Sequence, residues 1–146
     1  MVTFILDRIK KAGYFAIQSL SGTTAVSTSN IACAGFKSAI VLVENAAASG
    51  TPSAATLTLS FVDGATTSPA TAVTLESAPS AIDVTSAGYN MYQVDISGFN
   101  TNFKAVVTPA FTGGTTPAVN ASCVVLLTDA AVDPASGTAV VPLRKA

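Results

Sequence analysis

Along most of the chain, apolar and polar residues alternate in short runs. Ala55, Leu57, Leu59 and Phe61 take turns with Thr56, Thr58 and Ser60, the period-two pattern of a strand with one buried face. The same pattern puts Tyr92, Val94 and Ile96 inside and Gln93, Asp95 and Ser97 outside, and it places Phe103, Ala105 and Val107 around Lys104. Two runs, 39–43 and 123–127, are apolar at every position. Such strands are either central in a sandwich or covered by a second subunit. Shorter candidates fall at 14–17, 72–75, 81–84 and 139–143, for about eight strands in all.

Between these runs lie residues with turn chemistry: Asp63-Gly64, Ser97-Gly98, Gly113-Gly114 and Ser136-Gly137. The loops at 45–54 and 64–71 are poor helices because β-branched residues, Gly and Pro interrupt them. The pattern predicts an all-β sandwich, jelly-roll or Ig-like in layout. The expected division is an N-terminal basic arm at 1–13, a sandwich domain at 14–135 and a C-terminal strand or tail at 136–146. The arm is open to two readings. Phe4, Ile5, Arg8, Ile9 and Lys11 fall at mixed helical spacing with Gly13 as a possible C-cap, and an edge strand or extended arm fits equally well.

Composition changes this picture in one respect. Hydrophobic residues make up 49% of the 146, much of it Ala and Val, while charged residues are only 10%, far below the roughly 25% of ordinary soluble domains. A surface so poor in charge has little to oppose close association. What charge there is divides unevenly. Arg8, Lys10, Lys11, Arg144 and Lys145 sit at the ends, whereas 12–143 hold Lys37 and Lys104 against seven acids. A neutral body with basic ends is expected to be held by neighbours, and the five terminal cations are the candidate contact residues.

Other classes are disfavoured. The net charge of −1 and the absence of a basic stripe with aromatics argue against a nucleic-acid partner, and no run approaches a membrane span. The first residues make a poor signal peptide, because the charges follow the first apolar run, so synthesis and folding in the cytoplasm are expected. Cys33 and Cys123 match no metal or redox spacing and are expected as buried thiols.

With no His, the chain lacks the commonest general base and zinc ligand. Its acids are singletons, and Gly113-Gly114 lies between strands rather than at a helix start. Asp129 and Asp133 could lend oxygens to Ca²⁺, but the loop lacks the dense Asp/Asn pattern of a dedicated site. Tyr89, Tyr92 and Phe99 could stack on a sugar, although core and corner packing suits them better. No catalysis, metal or cofactor is expected.

Several segments, taken in order, resemble a β-sandwich type common among structural proteins of tailed bacteriophages, particularly head decoration (cement) proteins. They are Gly35-Phe36-Lys37-Ser38-Ala39 with the apolar run to Val43, then 55–62 with Asp63-Gly64. Tyr92-Gln93-Val94-Asp95-Ile96-Ser97-Gly98-Phe99 follows, leading into Phe103-Lys104-Ala105-Val106-Val107-Thr108. Last comes 118–127, ending in Thr128-Asp129. The resemblance spans residues 14–135 and departs from the type at Asn102-Phe103-Lys104, where Arg is common.

It implies a structural protein on the virion surface, bound to the major capsid protein and to itself, often as a trimer. The alternatives are a tail, neck or fibre-base protein, or a carbohydrate- or cell-surface-binding module.

Overall fold

A computed structural model describes residues 9–128 and 143–144. In chain order the strands are β1 (Ile9–Ser21), β2 (Val26–Ser27), β3 (Ile31–Ala32), β4 (Ser38–Asn45), β5 (Ala54–Gly64), β6 (Thr71–Ala72), β7 (Ile82–Asp83), β8 (Gly88–Asp95), β9 (Asn102–Thr112), β10 (Ala118–Thr128) and β11 (Leu143–Arg144). They form an all-β sandwich. One sheet runs β1-β10-β4-β8-β11, and the other is built on β2-β9-β5-β6, with β3 on β9 and β7 on β5. Pairing is antiparallel except at β11, which runs parallel to β8.

The core follows from the alternation. Ala55, Leu57, Leu59 and Phe61 of β5 meet Ala105, Val107 and Phe103 of β9, all buried. Facing them are Val41 and Val43 of β4, Val94 of β8, and Ala121, Cys123, Val125 and Leu127 of β10. At one end Phe99 packs edge-on against Phe61 and Phe103, with ring centroids 5.9 and 5.4 Å apart, the geometry aromatic quadrupoles favour, while Phe61 and Phe103 are tilted at 6.4 Å.

Successive long strands do not pair with each other. The chain passes from β4 in the first sheet to β5 in the second, back to β8, across to β9 and back to β10. Two short strands share β9, and Thr28 splices the gap between them. Its N–H donates to Ala105 O at 2.9 Å, and its hydroxyl accepts from Ala105 N at 3.2 Å.

Of the readings open for the start of the chain, residues 9–13 take the edge strand and not the helix: they are the first part of β1, paired with β10 from Ile9↔Thr128 onward. Residues 1–8 lie outside the described residues. Gly13 is therefore no helix cap. It sits at a register shift where β1 crosses β3, and a Cβ there would fall inside the Ile31 side chain, 2.7 Å from its Cδ1. Ser29 N–H donates to Tyr14 O at 3.2 Å beside this crossing, so the two sheets touch along that side.

Two smaller differences concern β5 and its neighbours. Asp63-Gly64 is the end of β5, paired with Phe103 and Asn102, and the chain turns only after it. The run at 72–75 contributes only β6, and 81–84 only β7. At the far end Gly113 and Gly114 both have positive φ (68° and 83°), as a turn there requires. Of the run at 139–143 only Leu143 is described, and Ser136-Gly137 lies outside the described residues.

Candidate association face and basic pole

The two fully apolar runs are neighbours in the first sheet. β10 pairs with β4 from Ala121↔Asn45 to Thr128↔Ser38. Their inward residues fill the core, while Ile40, Leu42, Val124 and Leu126 point outward and stay half-exposed. Register extends this into rows across four strands. One row is Tyr14, Val124, Leu42 and Met91; the next is Lys11, Leu126, Ile40 and Gln93; a third holds Ser122, Glu44 and Tyr89.

The large hydrophobics most exposed among the described residues lie on the outer strands of this sheet. They are Tyr89 at 75%, Ile17 at 70%, Met91 at 51% and Tyr14 at 49%. The other sheet presents Thr56, Thr58, Ser60 and Val62 of β5, with Lys104, Val106, Thr108 and Ala110 of β9. One broad face is apolar and the opposite one is mostly small and hydroxylated. Exposed apolar surface is informative where it is contiguous, and here it is gathered on one sheet face, broken by Lys11, Gln93, Ser122 and Glu44.

Charge is sorted by end as well. Lys10 and Lys11 stand near the start of β1, Lys37 just before β4 and Lys104 near the start of β9. Arg144 pairs with Asp95, the last residue of β8. All these positions fall at one pole, because β1, β4 and β9 begin there and β8 and β10 end there; Asp95 and the buried Asp63, at the end of β5, share it, so the cations are in excess there without being alone. At the opposite pole lie Glu44, near the end of β4, and Asp83, paired with Thr56 near the start of β5. Lys11 also lies over the Tyr14 ring, with Nζ 4.1 Å from its centroid, a cation–π contact that holds the ammonium on the apolar face.

Of the five cations singled out from the sequence, Lys10, Lys11 and Arg144 are thus brought to one pole, while Arg8 and Lys145 lie outside the described residues. Sequence reading passed over Lys37 and Lys104, which join the same pole. The signal was their place at or just before the start of a predicted strand, which becomes informative only once strand directions are known. It also passed over Tyr14 and Met91 as members of the face.

The alternative sugar-stacking trio does not converge. Tyr89 and Tyr92 are on opposite faces of β8, and Phe99 is packed on Phe61 and Phe103.

Buried polar groups are structural in setting. The Asn45 amide donates to Ala46 O and Ser86 O, each at 2.9 Å, pinning the loop before β8 to the end of β4. Asp63 is buried and its Oδ2 accepts from Asn100 N–H at 3.0 Å. Cys33 donates to Asn100 O at 3.1 Å; burial raises its thiol pKa. Burial pushes the Cys123 thiol up to about 12. The two are free and buried, 4% and 0% exposed, which suits packing and not nucleophilic chemistry. Hydrogen bonds from the Thr85 N–H and hydroxyl lower the Asp83 pKa. Among the described residues no three of His, Cys, Asp and Glu are grouped to hold a metal ion. Asp129 and Asp133 lie outside them.

No protein-family model matches the chain, and no curated protein matches it.

Proposed function

We propose that this chain is a structural virion protein that decorates a phage capsid and stabilises it by bridging major capsid subunits. The observation that carries the reading is the division of the surface into a largely apolar sheet face and a pole where cations gather, on a sandwich with few charges in all. An uncharged face can be buried against a neighbour without stranding ions. A cluster of cations at one end suits an acidic patch on a shell. Many identical weak contacts then add across a particle, so that separating two capsomers also means breaking the contacts that bridge them. On this reading Arg8, Lys10, Lys11, Arg144 and Lys145 are the anchors, joined by Lys37 and Lys104, and the protein needs neither catalysis nor a cofactor.

The test is the copy number and position of the chain on purified particles, by quantitative mass spectrometry and electron cryomicroscopy. Copies on the scale of the capsid lattice, seated on the head, are the expected result. A few copies at the tail or neck, or none, would overturn the decoration role.

A further inference from the structure

We propose that the outer face of the first sheet is covered by a second copy of the same chain, in a two-fold pair centred on Val124. The rows described above supply the argument. Lys11 lies in the second row on β1, and Glu44 in the row beyond Val124 on β4. Val124, on the strand between them and in the row between them, is their midpoint. Lys11, on the edge strand β1, and Glu44, on the inner strand β4, are the charges in these three rows among the described residues. Asp95 stands at its margin, where its carboxylate accepts from Ser97 N–H and hydroxyl.

A two-fold axis lying in the plane of the interface at Val124 therefore sets Lys11 of each copy against the partner's Glu44. Both charges are matched at once. With strands ~4.8 Å apart and every second residue ~6.8 Å along, the two sheets cross at roughly 70°, toward the steep class of sheet packing. The same operation lays Ile40 of one copy between the partner's Leu42 and the partner's Met91, apolar on apolar.

Four strands by three rows cover about 19 by 20 Å, about 400 Å² per copy and about 800 Å² in the pair, the scale of a weak, concentration-dependent pairing and not of a permanent one. A partner of different sequence would have to match the same spacing of one cation and one anion, whereas a second copy does so by symmetry. The pairing takes this face and Lys11 for a sister copy and leaves the other cations of the pole to a shell, so a chain that dimerises yet is missing from particles would sink only the virion role.

The experiment is sedimentation-velocity centrifugation of the full chain over a concentration series at low salt, with three variants: Lys11→Glu, Glu44→Lys and the double exchange. Both side chains are exposed, and circular dichroism melts would confirm that each variant folds. A dimer is expected for the natural chain. Each single reversal sets like charges against each other and raises the dimer Kd about tenfold, while the double exchange restores it to within about threefold. A monomer at every concentration, the outcome if another segment or another protein covers the face, overturns the proposal. So does an oligomer indifferent to both reversals, or a double variant weaker than either single.

Discussion

Replacing Gly13 by Ala puts one methyl group where β1 crosses β3, and its effect can be worked from the geometry. The new Cβ would lie 2.7 Å from Ile31 Cδ1 and 3.2 Å from Ser29 O, closer than carbon atoms normally approach. Ile31 is fully buried, and protein interiors leave few voids into which a side chain could retreat. Overpacking of this kind costs about 1–3 kcal/mol, partly offset by the ~0.5–1 kcal/mol that Ala gains over Gly through the unfolded chain. The net loss is then about 1.5 kcal/mol.

Ile31→Ala alone empties the same space and should cost about 3.5 kcal/mol, as fully buried Ile→Ala changes do. Made together, the two changes relieve each other, since the methyl group added at position 13 enters the cavity left at 31. The double variant should lose about 3 kcal/mol rather than the additive ~5. Urea denaturation followed by circular dichroism measures all three, with an unchanged m-value showing that the native state is intact. Losses that add to within ~0.5 kcal/mol would refute the contact, and with it the placement of β1 against β3.

Two further predictions concern buried polar groups. The Cys123 thiol, with its pKa pushed up to about 12, keeps its proton in the folded chain at a pH where the unfolded chain has lost it. Stability from this group is therefore intact below the ordinary thiol value and falls above it, by up to ~1.4 kcal/mol per pH unit. Urea midpoints between pH 8 and 10.5 should decline less steeply for Cys123→Ala, and parallel curves would count against the assignment. Asn45→Asp would aim a carboxylate at the Ala46 and Ser86 carbonyl oxygens in a buried site. It should cost on the order of 3 kcal/mol at neutral pH. Its folded pKa would be raised, so the deficit relative to the natural chain should shrink as pH falls through that value. A deficit that does not change with pH would contradict the geometry.

Much of the sandwich is legible in the sequence because alternation reports burial directly. β5, β8 and β9 bury the residues that period two selects, apart from Tyr92, which is only half-buried. The doubly apolar runs become β10 and β4, whose outward residues form the association face.

What stays hidden depends on pairing over long distances. β1 carries Lys10, Lys11 and Gly13, poor strand formers whose conformation is set by the β10 ladder and the close crossing of β3. β2 and β3 are two residues each, too short for any period to show. Asp63 reads as a turn residue before Gly64, yet the β9 ladder carries the strand through both, and the carboxylate ends up buried beside Asn100. The sorting of cations to one pole is equally invisible, since it needs the direction of every strand.

The way the chain switches sheets at almost every long strand has a consequence for its synthesis. β1 finds its ladder partner only in β10, with Ile9 waiting for Thr128, and β4 lies between β8 and β10, both made later. Few hairpins are available to form early, and nearly every pairing closes a long loop, which slows folding. A chain emerging from the ribosome therefore holds β1 and the apolar β4 without partners until most of it has been made. Its yield should respond to translation speed and chaperone supply more than to the stability of the finished sandwich.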